Sequence, residues 1–248
     1  METRHLELGN GRSLAYCRTK GQQPGVVFLG GLSSNMNGTK ALHLENWAKR
    51  DGRAYLRFDY TGHGRSSGRF EDGCISDWTE DAMDAVSRLT DGPQVVVGSS
   101  MGGWIGLILA TRIPERMLGF VGIAAAPDFT EDFREFRLSE VQLAALEKDG
   151  KVEVPSDRSD NPMIITKRLI DDGMTNLVLK NPLHLPFPAR FLQGTADEDV
   201  NQEVAIRLLG HVTGTDVRLH LVKGADHRFS SPDCLLLIEQ SVESVLAA

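Results

Sequence analysis

The stretch VVVGSSMGGW, residues 95 to 104, decides the reading of this chain. Three β-branched valines predict a buried strand. They run straight into Gly-Ser-Ser-Met-Gly with no Asn, Asp or Pro to make an ordinary turn. The run MGGWIGLILATRI that follows is apolar enough to be a buried helix. Residues 98 to 102 therefore place G-x-S-x-G between a strand and a helix, with Ser100 at its centre. That context suits a sharp elbow that lifts a nucleophilic hydroxyl off the sheet edge, with glycines where side chains would collide. Ser99 lacks the pattern, because Met101 stands two residues after it.

Working outward, strand-like and helix-like segments alternate. RHLEL and SLAYCR flank Asn10-Gly11, a hairpin signal. PGVVFLGG reads as a buried strand, and residues 39 to 50 as a helix with Leu42, Leu44 and Trp47 turned inward. RAYLRFDY is a strand. Residues 76 to 90 form a helix with Ser76 at the N-cap position. MLGFVGIAAA, ARFLQG and DVRLHLV are further strands, and QEVAIRLLG and PDCLLLIEQSVESVL further helices. Alternation of this kind predicts a mainly parallel sheet with an N-terminal antiparallel hairpin and helices on both faces. Residues 128 to 187 break the rhythm. Two helical stretches, 138–149 and 162–180, are expected there around the polar VPSDRSDNP, with no strand. The expectation is one domain over residues 1–248, with 128–187 inserted as a helical cap.

The fold class fixes the order Ser…Asp…His for a triad. Asp197, in FLQGTADEDV, and His227, in LVKGADHRF, each follow one of the last two strands. Loops at the carboxyl ends of strands are where sites in open α/β sheets lie. Histidine supplies a base that titrates near neutrality, and the carboxylate holds it in the productive tautomer. Asp199 and Glu198 remain alternatives for the acid, Asp226 reads as a turn former, and His63 in YTGHG is the rival histidine. For the oxyanion the expected donors are the backbone N–H groups of Met101, after the nucleophile, and Leu32, after Gly30-Gly31.

Other chemistries find less support. DYTGHGRSSG lacks the Gly-Lys-Ser/Thr of a phosphate loop, and no His/Cys cluster suits zinc. No cofactor and no metal is expected. A net charge of −7 argues against nucleic acid as a partner. The absence of a long apolar segment argues against stable membrane insertion. Three scattered cysteines, Cys17, Cys74 and Cys234, and a polar N-terminal segment predict a cytoplasmic protein.

MNGTKALHLENWAKR, RFDYTGHGRSSG, DGPQVVVGSSMGGW and GADHR together resemble the α/β-hydrolases. Within them they resemble the branch of mitochondrial palmitoyl-protein thioesterases that also hydrolyse mycophenolic acid acyl-glucuronide, and its bacterial relatives. The likeness runs over about residues 25 to 127 and 186 to 230. It implies a Ser100, Asp197, His227 triad, no cofactor, and a small-molecule ester or thioester, or an S-acylated protein, as substrate. DEDVNQ stands where that branch usually carries Val-Pro-Trp, so the local pocket wall differs. The resulting expectation is a serine esterase or thioesterase. An acyltransferase or amidase would use the same residues, and a non-catalytic binding protein the same fold. The apolar residues Phe129, Phe133, Phe136, Leu138, Leu143, Leu146, Met163, Ile164, Ile165 and Leu169 divide between packing the cap and lining an acyl pocket.

Overall fold

A computed structural model describes residues 2–9, 11–155 and 162–248. The chain begins with strands β1 (Arg4–Gly9), β2 (Arg12–Thr19) and β3 (Gln22–Leu29). Helix α1 (Thr39–Arg50), strand β4 (Arg53–Phe58), helix α2 (Ile75–Leu89), strand β5 (Gln94–Ser99), helix α3 (Met101–Arg112) and strand β6 (Met117–Ile123) follow. Between β6 and the next sheet strand come α4 (Phe129–Asp132), a π-helical turn (Phe133–Arg137), α5 (Glu140–Asp149), β7 (Lys151–Val154), β8 (Met163–Thr166), α6 (Lys167–Gly173) and β9 (Leu183–His184). The chain closes with β10 (Ala189–Gly194), α7 (Gln202–His211), β11 (Val212–Thr213), β12 (Val217–Val222) and α8 (Pro232–Leu246).

Eight strands form one sheet in the order β1-β2-β4-β3-β5-β6-β10-β12. The β1–β2 and β2–β4 pairs are antiparallel, and every later pair is parallel. The expected hairpin edge and parallel body are both present. Alternation along β5 divides the core: Val95 and Val97 pack with α1 and α8, and Val96 with α2 and α3. Every α3 residue from Met101 to Ala110 is buried, so this helix is apolar on all sides.

Several local expectations are corrected. Leu42 faces outward at 38% exposure, while Leu44 and Trp47 are buried; the inward stripe of α1 is Ala41, Leu44, Trp47 and Ala48. Cys74, not Ser76, is the N-cap of α2. Ser76 lies inside the first turn, where its N–H donates to Asp172 Oδ2 at 2.8 Å and its hydroxyl accepts from Asn176. Of the expected hairpin turn, Gly11 has φ +75°, and Asn10 lies outside the described residues. Residues 128–187 hold strands as well as helices. β7 and β8 form an antiparallel pair in which Val152 opposes Ile165, both buried, so cross-strand packing overrides the helical reading of 162–166. The helix expected over 162–180 shrinks to α6. VPSDRSDNP, apart from Val154, Pro155 and Pro162, lies outside the described residues.

This segment is tied to the sheet layers by hydrogen bonds and an exposed ion pair. Asp128, in left-handed backbone at φ 59°, accepts the amides of Val178 and Leu179 at 2.8 and 2.9 Å. Arg168 bonds Asp77 at 2.7 Å, and the Trp104 indole donates to the Asn176 carbonyl at 3.1 Å. No helix of the described residues is long and apolar enough to cross a membrane.

Candidate active site

Ser100 sits where β5 ends and α3 begins, with φ 55° and ψ −119°. A non-glycine residue held there carries backbone strain on the order of 1–3 kcal/mol. Hydrogen bonds fix it. The Ser100 N–H donates to the Ile123 carbonyl at 2.9 Å, and its carbonyl accepts from Gly103 at 2.8 Å and Ala126 at 3.1 Å. The flanking glycines are steric necessities. A Cβ on Gly98 would fall 2.6 Å from the Gly102 carbonyl carbon, and one on Gly102 would fall 2.6 Å from that of Leu29.

His227 reaches the same point from the loop after β12. Its Nε2 lies 3.2 Å from Ser100 Oγ, and its Nδ1 lies 3.0 and 2.9 Å from the two carboxylate oxygens of Asp197. A carboxylate only accepts, so Nδ1 carries the proton and Nε2 faces the serine hydroxyl as the acceptor. The loops that carry Asp197 and His227 are stitched together. Thr195 N–H donates to the Val222 carbonyl, Ala196 N–H to that of Ala225, and Gly224 N–H to Thr195 Oγ1. Burial works to raise the Asp197 carboxyl, but hydrogen bonds from His227, Val200 and Gln193 outweigh it and hold the group below the usual carboxylate range.

The other acids separate cleanly. Asp199 contributes its backbone amide to Asp197 Oδ1 at 2.9 Å, and its exposed side chain lies at the cavity wall with Glu198. Asp226 caps its own turn, accepting the Phe229 amide at 3.1 Å. His63 does not line the cavity in front of Ser100; it lies among the ring edges of Tyr60, Phe70 and Trp78, and burial pushes it down to about 4. It is a neutral core histidine. Asp197, Asp199 and His227 bring one ligand atom each within 4.8 Å of one another, but both Asp197 oxygens are already taken up by N–H donors.

Leu32 and Met101 both border the cavity in front of Ser100, and neither backbone N–H donates to an acceptor among the described residues. Met101 opens α3, so its amide adds to the positive end of that helix. Gly31 lets the Leu32 loop lie against the serine: a Cβ there would stand 3.3 Å from Ser100 Cβ. The far end of this loop is anchored, with Asp59 accepting the Met36 amide at 2.6 Å and Arg57 donating to the Met36 carbonyl at 3.0 Å.

The cavity has a volume of about 810 Å³. Its apolar walls come from Leu32, Phe70, Phe129, Phe133, Met163 and Ile164, its polar ones from Ser33, Arg137, Glu198, Asp199, Asp226 and Arg228. Of the apolar insertion residues, Phe129, Phe133, Met163 and Ile164 line it, whereas Leu138, Leu146, Ile165 and Leu169 are buried in the core. Leu143 packs half-buried against that core, and Phe136 is 78% exposed. Two residues escaped the sequence reading. Phe70, in the short helical turn 70–72, gave no periodic signal, and Gln193 was legible only as a polar residue inside an apolar strand.

Residues 24–153 match the family model described as the alpha/beta hydrolase fold. The mitochondrial palmitoyl-protein thioesterase ABHD10 of Homo sapiens is 34% identical over 236 residues, covering 94% of this chain and 76% of that protein. Among solved structures, a putative hydrolase from Agrobacterium vitis S4 superposes with a TM-score of 0.94 at 38% identity, covering 98% of both chains. Mouse alpha/beta hydrolase domain-containing protein 10 superposes with a TM-score of 0.92 at 30% identity, covering 100% of this chain and 99% of that one. The chain therefore belongs to the α/β-hydrolase fold family, as a hydrolase related to palmitoyl-protein thioesterases.

Proposed function

We propose that this protein is a serine hydrolase of carboxylic esters and thioesters that works through an acyl-enzyme on Ser100. The observation that carries the proposal is the unbroken chain Ser100 Oγ, His227 Nε2, His227 Nδ1, Asp197. His227 takes the hydroxyl proton as Oγ attacks the acyl carbon, then returns it to the departing alcohol or thiol. The Leu32 and Met101 amides receive the oxyanion. Water, deprotonated by the same imidazole, releases the acid. No step needs a cofactor.

In this reading residues 128–187 are a cap on a single domain, and Phe129, Phe133, Met163 and Ile164 hold the acyl chain beside Ser100. The substrate is a small-molecule ester or thioester, or the S-acyl cysteine of a protein offered at the cavity mouth. The three buried, unpaired cysteines support work in a reducing compartment, which we take to be the cytoplasm. The names of the curated relatives place those proteins in mitochondria.

Partitioning tests the acyl-enzyme. A thioester and an oxyester of the same acid are hydrolysed with methanol present, and the ratio of methyl ester to free acid is measured. A shared acyl-enzyme gives one ratio for both leaving groups. A ratio that changes with the leaving group overturns it, and a product that is almost wholly methyl ester identifies an acyltransferase.

A further inference from the structure

From the geometry we infer that Gln193 is a positioning residue for the triad acid, holding Asp197 through its side-chain amide; this rests on the proposed role of Ser100, Asp197 and His227. Gln193 is the penultimate residue of β10 and is fully buried in a strand whose other side chains are mostly apolar. Its Nε2 donates to Asp197 Oδ2 at 2.9 Å, to the Val200 carbonyl at 2.9 Å and to the Gly194 carbonyl at 3.3 Å. All three partners are acceptors, so the amide has one allowed orientation. The reverse flip would set Oε1 against a carboxylate and two carbonyls.

That orientation leaves Oε1 buried with no hydrogen-bond partner. A side chain kept only for packing would be apolar here and would leave no such orphan. What the amide provides is division of labour on the carboxylate. The Asp199 and Val200 amides hold Oδ1 at 2.9 and 2.8 Å, and Gln193 holds Oδ2. With both oxygens tethered from the loop and strand side, the carboxylate plane stays turned toward Nδ1 of His227. The same Nε2, through its bond to the Val200 carbonyl, also ties the end of β10 to the residue that closes the acid loop. Gln193 touches neither substrate nor Ser100, and it acts only through Asp197.

The test compares Gln193→Met and Gln193→Glu with wild type and with Ser100→Ala, measuring kcat, KM and Tm from pH 5 to 9 on one p-nitrophenyl ester. Gln193→Met keeps the volume and loses the donor. It should lower kcat by about tenfold or more, the equivalent of one charge-assisted hydrogen bond, with KM within about twofold. Its Tm should hold, because the orphaned oxygen is removed as well. In Gln193→Glu the new carboxyl donates to Asp197 while protonated and repels it once ionised. Its kcat should exceed that of Gln193→Met at low pH and decline as the pH rises, a limb that wild type lacks. The inference is overturned if Gln193→Met keeps kcat within about twofold of wild type, or if it loses Tm and activity together while Gln193→Glu matches it at every pH. Loss of activity in Ser100→Ala alongside an unaffected Gln193→Met refutes this inference alone. Activity retained in Ser100→Ala refutes the reading beneath it.

Discussion

His227 Nε2 stands 3.2 Å from Ser100 Oγ although 127 residues separate the two in the chain. Nothing local brings them together. Ser100 is placed by the end of β5, a central strand, and His227 by the loop after β12, at the sheet edge. The parallel sheet presents both carboxyl ends on one side, and the contact follows from that.

Asp197→Asn should cripple turnover, by about 10⁴-fold, because the neutral amide no longer fixes the His227 tautomer. Asp199→Asn should be mild, since the Asp199 group that meets Asp197 is its backbone amide, which the substitution leaves in place. Steady-state kinetics on both variants decide it. A severe Asp199→Asn and a mild Asp197→Asn would exchange their roles.

Gly102→Ala should destabilise the fold by about 1–3 kcal/mol through overpacking, because the new methyl meets the Leu29 and Gly30 carbonyls. It should also lower kcat by pushing back the loop that carries Leu32. Gly210→Ala is the contrasting variant. No heavy atom lies within 4 Å of its would-be Cβ in α7, so it should stabilise by about 0.5–1 kcal/mol. Urea denaturation gives both values, and equal effects would contradict the steric account of the elbow.

His63 should make stability fall as pH falls. Its folded value of about 4 lies below the ordinary imidazole value of 6.5, so the unfolded chain binds the proton more tightly. The contribution is complete above pH 6.5 and is lost on descent toward 4, on the order of 3 kcal/mol in all. Burial raises the carboxyls of Asp59, Asp81 and Asp128, and these act with the opposite sign. The comparison is therefore between wild type and His63→Phe. The gap in Tm should move in favour of the variant between pH 7 and pH 5. Parallel curves would place the His63 ring in contact with water.

Chain length should govern specificity. Each methylene buried between Phe129, Phe133, Met163 and Ile164 adds about 0.8 kcal/mol, or roughly fourfold in kcat/KM, until the cavity is full. Ile164→Trp narrows the cavity and should move the optimum to shorter acyl chains. A series of p-nitrophenyl esters measures both curves. A decline from acetyl upward in wild type would remove the acyl-pocket assignment.

Much of this was legible in the order of residues. The sheet was readable because its buried strands are runs of β-branched and aromatic residues, as in Val95–Val97, and because turns of special chemistry close them. The convergence of Ser100, Asp197 and His227 was readable because each follows a strand and because the fold fixes their order. The insertion was poorly legible. Lys151–Val154 and Met163–Thr166 are four residues each, too short for periodicity to tell strand from helix. Only their pairing, from Lys151–Thr166 through Val152–Ile165 to Val154–Met163, makes them strands, and pairing is a tertiary fact. Leu42 was misread because hydrophobicity alone groups it with Leu44, whereas residues two apart on a helix do not share a face and the buried stripe runs through Ala41, Leu44 and Ala48. The contact of Gln193 with Asp197 was invisible because it depends on where the side-chain amide points.

The proposal that Ser100 is the nucleophile is tested most directly by covalent labelling. The folded protein is treated with a fluorophosphonate, and the modified residue is mapped by mass spectrometry of its peptides, with Ser99→Ala and Ser100→Ala beside wild type. One phosphonyl adduct on Ser100 is expected in wild type and in Ser99→Ala, and none in Ser100→Ala, which should also lose at least about 3 orders of magnitude of turnover. An adduct on another residue, or labelling and turnover that survive in Ser100→Ala, would contradict the assignment of Ser100 as the nucleophile.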